Sequence, residues 1–193
     1  MPSYSDVTLA TARLDLRPLT TADAPALFAL KSDARVQRYG SHTPWTQHEQ
    51  ATAWLERDRQ GMADGRHVHF GIIRREDGVM VGTCTLYDLD AQCRCADVGY
   101  ALLPSAWGRG YANEAVTALL DFGFERLALN RVSADIDPRN APSARALERL
   151  GFTREGHLRE RWIVAGEVSD SWLYGLLARE WRAARGSRAG ARP

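Results

Sequence analysis

Nine consecutive residues, Trp107-Gly108-Arg109-Gly110-Tyr111-Ala112-Asn113-Glu114-Ala115, limit most tightly what this chain can fold into. They follow an apolar, strand-like run, Val98–Leu103. They open a segment in which Val116, Leu119, Leu120, Gly123, Phe124 and Leu127 recur at helical spacing for three turns. The expected unit is therefore strand, glycine turn, helix, with one helix face packed on a sheet. Two glycines in the turn let the backbone approach a ligand closely. The first helical turn offers unpaired N–H groups at the positive end of its dipole. Such a turn suits a phosphate or pyrophosphate, so the chain is expected to bind a phosphorylated cofactor.

The rest of the sequence supplies a sheet for this unit. Arg13–Arg17 alternates with period two as an opening strand, closed by Pro18. Thr20 or Thr21 caps a helix to about Lys31. Thr46-Gln47-His48-Glu49 reads as a capping box for a second helix to about Met62, with Trp54 and Leu55 on its core face. Strands are expected over about Val68–Arg74, Val79–Tyr87 and Cys93–Leu103, and again over Arg131–Ile136. Asp137–Asn140 is a turn, and Ala141–Leu150 a short helix ending at Gly151. Phe152–Leu158 and Ser169–Leu177 form a last strand pair. This order gives one mixed α/β domain over residues 1–181, with 182–193 a small, basic, disordered tail.

Composition removes several function classes. Hydrophobic residues make up 45% of 193 residues, enough for a sizeable core. No apolar run approaches the ~20 residues of a membrane helix, and Met1–Leu14 lacks a signal-peptide pattern. A cytoplasmic protein without a membrane partner is the expectation. A net charge of +1 gives no drive toward nucleic acid, and no direct nucleic-acid contact is expected. Tail arginines such as Arg185, Arg188 and Arg192 are the one place where RNA could touch. Three cysteines, Cys84, Cys93 and Cys95, form no disulfide framework, and Cys93-Arg94-Cys95 lacks the partners of a zinc site. His67 and His69 alternate on a strand and face one side, half of a metal set at most. No metal is expected. The glycine turn is neither G-x-G-x-x-G nor G-x-x-x-x-G-K-[S/T], which disfavours dinucleotide and P-loop readings.

With these residues placed, the chain resembles the GNAT family of N-acetyltransferases over about Thr11–Leu177. The resemblance is carried by Val98–Leu103, by Trp107–Ala112, and by Asn140-Ala141-Pro142-Ser143 before a helix ending Leu150-Gly151-Phe152. Within the family it looks most like the ribosomal-protein alanine N-acetyltransferase branch, through Trp107–Ala115 and the late Gly156, Arg159-Glu160, Gly166, Asp170 and Tyr174. Trp107 stands where the family usually has Gln or Arg. The resemblance implies a mostly antiparallel seven-stranded sheet with helices on both faces and a splayed parallel strand pair at the cofactor site. It implies acetyl-CoA as co-substrate and a primary amine as acceptor, either a small molecule or a protein N-terminus. The protein would be a monomer or homodimer. A non-enzymatic CoA-binding or ribosome-associated module is the alternative.

The resemblance also assigns residues. Gly108, Arg109, Gly110, Tyr111, Ala112 and Asn113 would cradle the pyrophosphate, and backbone groups of Tyr100, Leu102 and Leu103 would bond the pantetheine arm. Asn140 would hold a pantetheine amide, with a plain helix N-cap as the other reading. Ser143 would protonate the departing thiolate, and a backbone N–H near Leu102 would face the oxyanion. The base is left between Asp97, Glu160 and a water relay. Tyr39, Trp45 and Trp162 would wall the acceptor pocket.

Overall fold

The alternating apolar segments pair into a single sheet, described by a computed structural model over residues 3–189, with side chains to residue 186. In chain order the elements are β1 (Leu9–Ala10), β2 (Leu14–Arg17), α1 (Ala24–Ser32), α2 (Ala34–Gln37), α3 (Glu49–Ala63), β3 (Val68–Arg74), β4 (Met80–Asp90), β5 (Cys95–Leu102), α4 (Tyr111–Asp121), β6 (Arg131–Ile136), α5 (Ala141–Leu150), β7 (Thr153–Val164), β8 (Glu167–Leu177) and α6 (Ala178–Ala189). The strand order is β1-β2-β3-β4-β5-β6-β8-β7. Every pairing is antiparallel except β5 with β6. The eighth strand beyond the expected seven is β1. Its two residues pair with Leu16 and Asp15, too short a stretch to show a period in sequence.

Period-two alternation divides the side chains between two cores. Val68, Phe70 and Ile72 of β3 join the larger cluster with Val116 and Leu119 of α4, Leu147 of α5 and Trp181 of α6. Ile73 and Met80 join a smaller cluster with Leu27 and Leu30 of α1 and Leu55 of α3. Helices therefore cover both faces, as α/β layering requires. No helix among the described residues is long and apolar enough to cross a membrane.

Three local readings change. Helix α3 starts at Glu49, and the Gln50 side chain, rather than Glu49, reaches back to accept from the backbone N–H groups of Thr46 and Gln47 at 2.9 and 3.0 Å. The helix after the glycine turn ends in a π-helical turn, Phe122–Arg126. Residues 182–189, expected as a disordered tail, continue α6. Trp181 anchors that helix, 2% exposed, with its indole N–H donating to Asp121 at 2.9 Å. Arg192 and the other residues of 190–193 lie outside the described residues, as does the Arg188 side chain.

His67 and His69 do share one side, where both meet the Asp58 carboxylate of α3 at 2.8 and 3.1 Å. Burial pushes the Asp58 pKa up, but the two histidine hydrogen bonds outweigh it and hold it below the usual carboxylate range. A lowered folded-state pKa means that this stabilisation is present above the unfolded value of about 3.9 and is lost as pH falls through the folded value. Asp58→Asn should therefore flatten the loss of stability seen in urea unfolding between roughly pH 5 and pH 3. An unchanged pH dependence would show that the clasp contributes nothing.

Candidate active site

The parallel pair β5–β6 is bonded only from Cys95–Asp97 to Arg131–Ser133. Beyond that point β5 follows β4 up to Leu102, and β6 follows β8 up to Ile136. The two strands thus part, leaving one edge of β5 open. The Leu103 N–H donates to the Val81 carbonyl at 2.9 Å. Alternation along an antiparallel ladder then turns the backbone groups of Ala101 and Gly99 toward β4, and those of Tyr100 and Leu102 toward the gap. The gap opens into a groove of about 800 Å³, lined by Tyr100, Leu102, Gly108, Gly110–Asn113, Asn140 and Ser143, together with Arg38 and Tyr39. Leu103 departs from expectation, since its amide is committed to β4 and its side chain packs on the smaller core.

The glycine turn has the backbone that its sequence requires. Gly108 and Gly110 sit at φ 73° and 79°, the left-handed region that other residues occupy only at a cost. Gly110 is the N-cap of α4, so the N–H groups of Tyr111, Ala112 and Asn113 are its first-turn donors. A Cβ at Gly108 would meet nothing within 4 Å, so the backbone there borders open space. This is a cradle that a pyrophosphate fits, contributed by backbone rather than side chain. The Arg109 side chain is not part of the groove lining. Its carbonyl is held by Arg13 at 3.0 Å.

That contact belongs to a clamp that sequence reasoning missed. Glu114, in the first turn of α4, accepts from the Thr11 hydroxyl at 2.7 Å, the Arg13 N–H at 2.8 Å and the Arg13 Nε at 2.7 Å. Burial pushes the Glu114 pKa up, but these bonds prevail and hold it low. The charged carboxylate ties the segment before β2 to the helix that carries the cradle, at the end where the helix dipole favours an anion. Partners about a hundred residues apart leave no periodic signal.

Trp107, half exposed, donates its indole N–H to the Leu102 carbonyl at 2.8 Å. Leu102 therefore offers the gap its N–H, while its carbonyl already accepts one hydrogen bond from Trp107. Across the gap, Asn140 caps α5 through Oδ1, which accepts the Ser143 N–H at 3.2 Å. The cap reading of Asn140 holds, and its side-chain NH₂ stays available for a ligand. The Ser143 hydroxyl lies 2.9 Å from the Tyr100 hydroxyl.

The remaining candidates lie outside the lining of this groove. Asp97, with Arg131, Ser133, Asp135 and Leu158, lines a second cavity of about 250 Å³. Burial raises the Asp97 pKa, reinforced by Asp88 and Asp135 and opposed by Arg131. Beside it, burial and the same three carboxylates push Tyr87 up to about 12. Trp162 borders this face, its indole N–H 3.4 Å from each Asp135 oxygen. Glu160 lines neither cavity. It occupies the irregular turn of β7 at φ 53°, with its N–H donating to Asp170 at 2.9 Å. Trp45 packs against the smaller core, 6.5 Å from the Trp54 ring, as an anchor of its loop.

Comparison with known proteins converges on the same unit. Residues 13–153 match the family described as the acetyltransferase (GNAT) domain. The chain is 37% identical over 174 residues to p20 of Bacillus licheniformis, an uncharacterized N-acetyltransferase, covering 90% of this chain and 98% of p20. It is 26% identical over 160 residues to the spermidine N(1)-acetyltransferase of Escherichia coli, covering 81% of each. A GNAT-family acetyltransferase structure from Bacillus anthracis superposes with a TM-score of 0.80 at 25% identity, covering 90% of this chain and all of that one. A parted strand pair with a glycine cradle at its mouth fits the acetyl-CoA that this family uses. This chain belongs to the GNAT acetyltransferases and is an acetyl-CoA-dependent N-acetyltransferase.

Proposed function

We propose that the acceptor is a primary amine on the Asp97 side of the sheet, and that the favoured acceptor is the α-amine of a protein N-terminus. The observation that carries this reading is that β5 contributes to two separate surfaces, one where it still pairs with β6 and one beyond the point where the strands part. One is the groove with the cradle, the Leu102 N–H and Ser143. The other is the carboxylate face of Asp97 and Asp135. Bound acetyl-CoA supplies an acetyl group activated as a thioester. The cradle N–H groups of residues 111–113 hold phosphate, and the Asn140 amide holds the arm. The Leu102 N–H stabilises negative charge on the acetyl oxygen. Ser143 gives a proton to the departing sulfur. Asp97 draws in the ammonium and takes its proton through a water relay, a task for which a raised carboxyl pKa is better matched than an ordinary one. An α-amino group, with pKa near 8, asks less of that base than a lysine does.

Support for a protein N-terminus is the late-strand resemblance to the ribosomal-protein branch, together with the exposed Trp162 and Leu158 flanking the acidic cavity. A polyamine acceptor is the second reading. It is favoured by three carboxylates, Asp88, Asp97 and Asp135, acting on one face, and by the spermidine-acetylating relative. Thiol release with peptides beginning in Ala or Ser, set against spermidine, separates the two. We expect kcat/KM at least about tenfold higher for the peptides, and the reverse order would establish the polyamine reading. In the same assay Asp97→Asn should lower kcat by roughly 100-fold and remove the acid limb of its pH profile. Wild-type turnover in that variant would remove Asp97 as base.

A further inference from the structure

We infer that the Tyr100 phenol is the positioning partner of Ser143, donating to its oxygen so that the serine's own proton faces the gap between β5 and β6. The inference rests on the acetyl-transfer role given to Ser143 above. The Tyr100 hydroxyl is 2.9 Å from Ser143 Oγ and 3.5 Å from the Ser143 carbonyl, so the hydroxyl is its nearer partner. Tyr100 lies on β5 beyond Asp97, where pairing with β6 has ended, and both residues line the donor groove. The Ser143 backbone N–H is already held by Asn140. Only the orientation of the serine hydroxyl is then left to be set.

A serine in the first turns of a helix tends to turn its hydroxyl back to a local backbone carbonyl. A hydroxyl has one proton and two acceptor sites. A phenol donating into one of those sites leaves the serine proton directed away from it, toward the groove. Burial pushes the Tyr100 pKa up and outweighs the Ser143 hydrogen bond and the Arg149 charge, so the phenol stays protonated and able to donate.

The proton bookkeeping closes. The acceptor nitrogen forms its bond to the acetyl carbon as the carbon–sulfur bond breaks, and the bonding pair leaves on sulfur. Ser143 gives sulfur its proton and regains one from Tyr100. Asp97 passes the proton released by the amine to solvent, and the phenol recovers one from solvent.

The test is steady-state thiol release by wild type, Tyr100→Phe, Ser143→Ala and the double variant, at saturating substrates and across pH. Phenylalanine keeps the ring that packs on the larger core, so the fold is retained. Tyr100→Phe should lower kcat about tenfold or more while the KM for acetyl-CoA stays within about threefold. It should also shift the alkaline limb of the kcat profile. The double variant should be no slower than Ser143→Ala. Adding Tyr100→Phe to Ser143→Thr, which keeps a hydroxyl, should still slow turnover. Multiplying effects in the double variant, or a change confined to KM, would overturn the inference while leaving the Ser143 role intact. Wild-type turnover in Ser143→Ala would overturn both.

Discussion

Gly110→Val is expected to weaken acetyl-CoA binding on the order of 30-fold while leaving the fold in place. The reason lies in the backbone. Gly110 sits at φ 79° as the N-cap of α4. A left-handed conformation costs an ordinary residue roughly 1–2 kcal/mol, with β-branched side chains at the upper end or beyond. The free protein can relieve that strain by letting an exposed turn relax, because the new Cβ would meet only Arg13 Nη2, at 3.5 Å. Binding must then restore the original N–H array at residues 111–113, so the strain reappears in the affinity. About 2 kcal/mol corresponds to roughly 30-fold in Kd. Arg109→Ala is the control, and it should change Kd by less than about threefold, because the cradle uses backbone and the Arg109 side chain lies off the groove. Calorimetric titration with acetyl-CoA measures both. Equal losses in the two variants would mean that side-chain charge, not backbone geometry, holds the phosphates.

Trp181→Ala should be the most damaging single change to stability, costing about 3–5 kcal/mol and lowering Tm by roughly 10 °C. The side chain is 2% exposed, its ring centroid is 6.2 Å from that of Phe124, and its indole N–H is bonded to Asp121 at the end of α4. Removing it opens a cavity and takes from Asp121 one of two donors, leaving Arg185. Differential scanning calorimetry reads the shift, and acetyl-CoA affinity of the folded variant should be unchanged. A loss below about 1 kcal/mol would mean that α6 only lies against the domain.

What could be read from the chain, and what could not, divides along sequence distance. The strand, turn and helix around Gly108 and Gly110 are local, so alternation, two glycines and helical spacing were sufficient, and both glycines have the positive φ that the turn needs. The parting of β5 from β6 is visible as a pairing that stops at Asp97 and Ser133. No periodicity marks it, and it was anticipated only through the family resemblance. The sequence singles out Tyr100 only for its backbone, because the hydroxyl contact to Ser143 joins residues 43 apart and leaves no local pattern. The Glu114 clamp on Thr11 and Arg13 has the same character. Leu103 lies one residue beyond the strand's open edge, since strand alternation aims its amide at β4. Trp45 is aromatic enough to look like a pocket wall, but the smaller core absorbs it. The helical continuation through residues 182–189 was hidden by a composition of small and basic residues. Trp181, at the first turn of that helix, supplies the packing that isolated propensity does not.

The most direct test of the account is residue-resolved amide hydrogen exchange of β5, with and without CoA. Ala101 and Gly99 face β4, whereas Tyr100 and Leu102 face the gap. If the pantetheine arm takes the place of a neighbouring strand, CoA should slow exchange at Tyr100 and Leu102 and leave Gly99 and Ala101 unchanged. Uniform protection along β5, or protection confined to the opposite set, would contradict the account and place the ligand elsewhere.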